Sequence, residues 1–175
     1  FRKDIQRGEA FLAKENGSAA MRMYDSALQK RPGHPKAELG MARALILEGE
    51  PAAAIELLDE ALVEVSATSA PEGGLVSSLE WHLALAWIQL AEDQNCIGHH
   101  NAASCLLPVT KEGIHTRPEA ARRAGDVLVD YAGRHPRNVQ AAWLLNVVRQ
   151  VSGDWPDGVP ENLRLPAVAG VQKRH

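Results

Sequence analysis

Apolar residues in this chain recur at three- and four-residue steps, the spacing of helices that bury one face. Leu83, Ala84, Trp87 and Leu90 share one such face, and Ala120, Ala121, Ala124, Leu128 and Tyr131 share another. Turn residues punctuate the periodic stretches. Asn16-Gly17-Ser18 separates a first pair of helices, with Ser18 as the expected N-cap. Arg31-Pro32-Gly33-His34-Pro35 closes the second helix. Gly49 ends the third, and Pro51 opens a fourth at a position where its missing N–H costs nothing. Polar loops are expected over 66–74 and 108–117. Helices are expected over 118–134 and 139–151, with His135-Pro136-Arg137-Asn138 between them. Beyond Ser152-Gly153, three prolines and the turn dipeptide Asp157-Gly158 predict an extended tail over 153–175. The pattern is all-α, with about seven helices.

The first two helix pairs also repeat. Gly8, Phe11, Ala20, Tyr24 and Ala27, shifted by 34, fall on Ala42, Leu45, Ala54, Leu58 and Ala61. Small side chains recur where helices approach closely, and large ones where a knob must fill the gap. This spacing resembles the tetratricopeptide repeat, whose period is about 34 residues. The signature Trp of that repeat is absent, and Asp4 and Glu38 stand in its place. The resemblance implies a right-handed superhelix of antiparallel helix pairs. Repeats fall near 1–34 and 35–68, followed by divergent pairs at 75–107 and 118–152, one domain over 1–152 in all. In repeat phase the third unit places Ala84 at the small position and Trp87 at the large one. Its partner helix would then carry Cys96 and Ala103, although Gly98-His99-His100-Asn101 makes a poor helix centre. Stacked pairs leave a concave groove that binds peptides or partner domains. Asp4, Arg7, Glu38, Met41, Leu45 and His82, from the first helix of each pair, are the expected groove residues.

Composition narrows the function. The 175 residues are 45% hydrophobic and 23% charged, with a net charge of −3. No basic field exists to hold a nucleic acid. The most apolar stretch, 79–91, is interrupted by Glu80, His82 and Gln89, and falls short of the roughly 18 residues a membrane helix needs. Ser104 lacks a G-x-S-x-G setting, and Gly73-Gly74 is no phosphate loop. Glu56, Asp59, Glu60 and Glu64 recur at helical steps and mark a solvated face. No catalytic residue is assigned. Trp81, Trp87 and Trp143 are expected to pack between helices. Trp155 is the better interaction candidate, although docking onto its own last helix is the more economical reading. The chain opens at Phe1 without a Met, and is read as a piece of a longer precursor.

One segment concentrates reactive groups. Cys96-Ile-Gly-His99-His100-Asn-Ala-Ala-Ser-Cys105 holds both cysteines and two of the seven histidines, and His115 follows. Three readings are open. A Cys96–Cys105 disulfide requires the chain to turn back, because an unbroken helix would set the two about 13 Å apart, against the roughly 7 Å a bridge allows. Such a bridge would contribute about 2–3 kcal/mol and favour an oxidising compartment. A zinc or copper site could draw on Cys96, His99, His100, Cys105 and His115. Two buried thiols beside solvated histidines complete the set.

The string Asn95-Cys-x-x-His-His-Asn…Ser-Cys-x-x-Pro, then Gly113-x-His115, Trp143-Leu-Leu-Asn146 and Pro156-Asp-Gly-Val-Pro160, resembles a particular linker. In bacterial proteins related to cartilage acidic protein, that linker joins tetratricopeptide repeats to an FG-GAP/UnbV β-propeller. The resemblance covers about 70 residues and implies an exported protein, periplasmic or secreted, acting beside a propeller domain or chain. It transfers no chemistry to the cysteine–histidine segment. The expected function is a non-catalytic protein–protein interaction scaffold with a protein or peptide partner. The alternative is a metal-binding or redox-active accessory subunit built on the cysteines and histidines.

Overall fold

The computed structural model describes residues 1–67, 74–97, 103, 107 and 109–166. Among them the regular elements are helical, and no strand occurs. Seven α-helices follow one another: α1 (Arg2–Leu12), α2 (Gly17–Lys30), α3 (Pro35–Glu48), α4 (Pro51–Ser66), α5 (Leu75–Glu92), α6 (Glu119–Arg134) and α7 (Val139–Val151). The chain forms two compact units, Phe1–Leu90 and Ala91–His175.

In the first unit α1 packs on α2, α2 on α3 and α3 on α4, as successive helices of a repeat do. The repeat register survives in three dimensions. Ala20 and Ala54, Tyr24 and Leu58, and Ala27 and Ala61 are each fully buried. Phe11 and Leu45 are half-buried at equivalent places. Residues 34 apart therefore share an environment, as the sequence spacing requires. The third phase agrees in part: Ala84 is fully buried and Trp87 half-buried. The partner helix expected over 96–107 falls largely outside the described residues. Cys96 itself lies in a π-helical turn, Asp93–Ile97, that prolongs α5.

Helix ends follow the punctuation with one correction. Asn16, not Ser18, caps α2, accepting a hydrogen bond from the Ala19 N–H at 3.0 Å. Ser18 is already helical, and its N–H and hydroxyl donate to Glu48 at 2.9 and 2.6 Å. The carboxylate closing α3 thus sits at the N-terminus of α2, where the helix dipole favours negative charge. Gly49 ends α3 in the left-handed region (φ 82°), which a side chain would strain, and Pro51 starts α4.

In the second unit α6 and α7 form a hairpin. Asn138 caps α7 by accepting from the Ala141 N–H at 3.1 Å. Leu128 and Leu145 are fully buried at the centre. Each contributes about 1.5–3 kcal/mol by leaving water. The segment after α7 does not stay extended. Up to Pro166 it folds through turns and a short 3-10 turn, Glu161–Leu163, burying Val159 and Leu163.

Candidate functional site

Tyr24 organises the first unit. Its ring lies against Gly8, where an added Cβ would come within 2.6 Å of the Tyr24 Cζ, and it also meets Gly40. Its hydroxyl donates to Glu9 Oε1 at 2.8 Å, and burial with the adjacent carboxylate pushes its pKa upward. Arg43 donates to both oxygens of Glu9 at 2.9 Å. Glu9 and Arg43 are 34 residues apart, so this bridge joins equivalent positions of the two repeats.

The expected groove residues differ in their surroundings. Asp4 accepts a hydrogen bond from Lys30 on α2 at 2.6 Å, which holds its carboxyl below the usual range. Arg7 is exposed and lines a shallow groove with Ala10, Phe11, Lys14 and Met23. Glu38 is only 6% exposed, and its Oε2 has no hydrogen-bond partner. Burial, with Glu64 and Glu60 nearby, raises its pKa. Met41 packs against the Ala20–Tyr24–Ala44 cluster. Leu45 is half-buried. His82 Nδ1 lies 2.7 Å from the Ser78 carbonyl, and burial lowers its pKa.

In the second unit two asparagines hold chain segments to helices. Asn95, buried on the π-helical turn, donates to the carbonyls of Ala91 (2.8 Å) and Arg117 (2.9 Å) and accepts from the Arg117 N–H (2.8 Å). Asn146 on α7 donates to the Ala142 and Leu163 carbonyls, both at 2.8 Å. It accepts from Trp155 Nε1 at 3.2 Å and from the Leu165 N–H at 3.1 Å. The tail is thus tied to α7 through three bonds on one side chain, the fourth holding Asn146 to its own helix. Arg149 adds an ion pair to Asp126 at 2.8 Å. Asp154 works against burial, yet the hydrogen bonds from Arg122 and Ser152 hold its carboxyl below the usual range.

Between the loop, α7 and the tail lies an apolar groove of about 570 Å³, walled by Leu107, Ile114, Trp143, Val147, Trp155 and Leu165. Trp143 is 48% exposed here, so the packing role expected for it is only half realised. Two polar groups on its wall are already engaged: Gln150 Oε1 accepts from the Val109 N–H at 3.2 Å, and Asn146 is used as above. Periodicity could not reveal this groove, because it is built by a loop and a tail.

The cysteine–histidine segment stays open. His99, His100 and Cys105 lie outside the described residues, so the disulfide and the five-residue metal set both turn on positions beyond them. Cys96 is half-buried. The His115 backbone N–H donates to the Val151 carbonyl at 2.8 Å, and burial lowers its side-chain pKa. Among the described residues no group of three His, Cys, Asp or Glu side chains is arranged to hold a metal ion. No helix among them is long and apolar enough to cross a membrane.

A tetratricopeptide-repeat family model matches residues 11–67. Over that stretch, from the end of α1 through α4, the chain is similar to tetratricopeptide repeats, which supports a repeat module there. No curated protein matches the chain. Such repeats generally mediate protein–protein interaction, in keeping with the binding surfaces that stacked helix pairs create.

Proposed function

We propose that this chain is a non-catalytic protein-interaction module that supports a larger assembly. The repeat match over 11–67 carries this reading. Leu45 and His82, half-buried on the first helices of their pairs, are proposed contacts in the groove. A displayed peptide library selected on the purified chain tests it. Sequences sharing a motif should be enriched, and Leu45→Asp should weaken them. A selection no richer than that on an unrelated helical protein would end the reading.

Export and a propeller neighbour are the finer part of the proposal. Their support is the motif string running from Asn95 to Pro160. The gene that encodes the chain tests them: an export signal and a propeller, in the same gene or an adjacent one, are expected. A gene and neighbourhood with neither remove this part and leave the interaction module standing.

A further inference from the structure

The geometry points to the edge formed by α1 and α2 as a docking site for an acidic peptide segment bearing one large apolar side chain. This rests on the interaction reading above and names the class of partner. Ala10, Phe11 and Met23 floor a groove of about 320 Å³, and Arg7 and Lys14 complete its lining. Phe11 and Met23 are half-buried, so apolar surface remains open between two cations. Lys3 stands one helical turn before Arg7. Lys3, Arg7 and Ala10 therefore follow at steps of four and three along one exposed face of α1, and Lys14, in the turn just after the helix, lines the same groove.

The charges on this stretch are segregated. Its acids are already paired: Asp4, largely covered, with Lys30 at 2.6 Å, and Glu9, still half exposed, with Arg43 at 2.9 Å. Arg2, Lys3, Arg7 and Lys14 make no ion pair among the described residues, and Glu15 is the one carboxylate left uncommitted beside them. The result is a cationic edge on a chain of net charge −3. An arginine fork offers paired donors to a carboxylate. A groove of this size holds a single Phe- or Leu-sized side chain. Carboxylates flanking one apolar anchor fit both features, and long-range attraction would speed their encounter.

A fluorescent peptide of Asp and Glu around a single Phe, titrated into the full chain, tests this. Binding should weaken about tenfold in the Arg7→Glu, Lys14→Glu double variant and by a similar factor when the peptide Phe becomes Ser. The double variant should keep the circular dichroism and melting temperature of the parent, since both residues are exposed. Unchanged affinity in the double variant overturns the proposal. Equal binding of the Ser peptide, or of an oligonucleotide of the same charge, overturns it in favour of plain polyanion attraction. Self-association that the double variant abolishes assigns the edge to a second copy of the chain and also overturns it. If library-selected peptides bind but perturb only α3 and α5 amides, the interaction module survives and this site falls.

Discussion

Tyr24 meets two glycines and a carboxylate at once, and each contact sets a measurable cost. Gly8→Ala places a methyl group within 2.6 Å of the ring. The ring is fully buried and cannot swing away. The variant should lose about 1–3 kcal/mol in urea unfolding. Tyr24→Phe should lose only about 1 kcal/mol, because Glu9 keeps Arg43 as a partner. Glu38 makes a sharper test. Its folded pKa is raised above the ordinary 4.5 by burial and by Glu64 and Glu60. The penalty of its charge is absent at pH below 4.5, grows as pH rises through the folded value, and is complete above it. Glu38→Gln should therefore stabilise the chain at pH 7.5 by about 1 kcal/mol, and the gain should shrink as pH falls toward 4.5. Thermal melts of both proteins across that range decide it; a gain independent of pH would disprove the linkage. Sequence spacing located Gly8, Ala20, Tyr24 and Ala27 because packing alone dictates them. It put Glu38 among the groove residues because Glu38 lies on the first helix of its pair. Its burial at the usual Trp position follows from the tertiary contacts of α3, which periodicity does not encode.

Among the elements, helices were legible and their fastenings were not. Gly49, Pro51 and the 135–138 turn announce boundaries because backbone geometry demands those residue types. The asparagines are different. Asn16 and Asn138 cap helices locally, whereas Asn95 and Asn146 reach across more than fifteen residues to main-chain groups. Nothing in local patterning separates the two roles, although Asn95 and Asn146 both belong to the linker-like motif string. Asn146→Ala would leave the Leu163 carbonyl, the Leu165 N–H and the Trp155 indole short of a partner. Expected is a loss of about 2 kcal/mol or more, with amide exchange accelerating over 159–165 and little changed in α1 to α4. Unaltered protection over 159–165 would show that Val159 and Leu163 hold the segment by apolar packing alone.

For the molecule as a whole, the all-helical repeat architecture could be read from 34-residue spacing and breaker residues, since both express backbone and packing rules. The surfaces could not. The apolar groove of the second unit needs loop and tail residues set against α7, and the cationic edge of the first appears only once Asp4 and Glu9 are seen to be paired with Lys30 and Arg43. Salt should separate binding from stability. Raising NaCl from about 50 to about 500 mM should weaken the acidic peptide several-fold, as exposed charges are screened. The melting point should move little, because the internal ion pairs at the surface contribute modestly. A melting point that falls as steeply as the affinity would mean the cations serve folding instead. The Glu9–Arg43 bridge carries one last implication. Equivalent positions of two repeats meet here, so like charges at both would repel. Glu9→Arg alone and the double exchange with Arg43→Glu both take the acceptor from the Tyr24 hydroxyl, so the difference in stability between them, about 0.5–1 kcal/mol in favour of the double exchange for so exposed a pair, reads the charge contact between the two repeats alone.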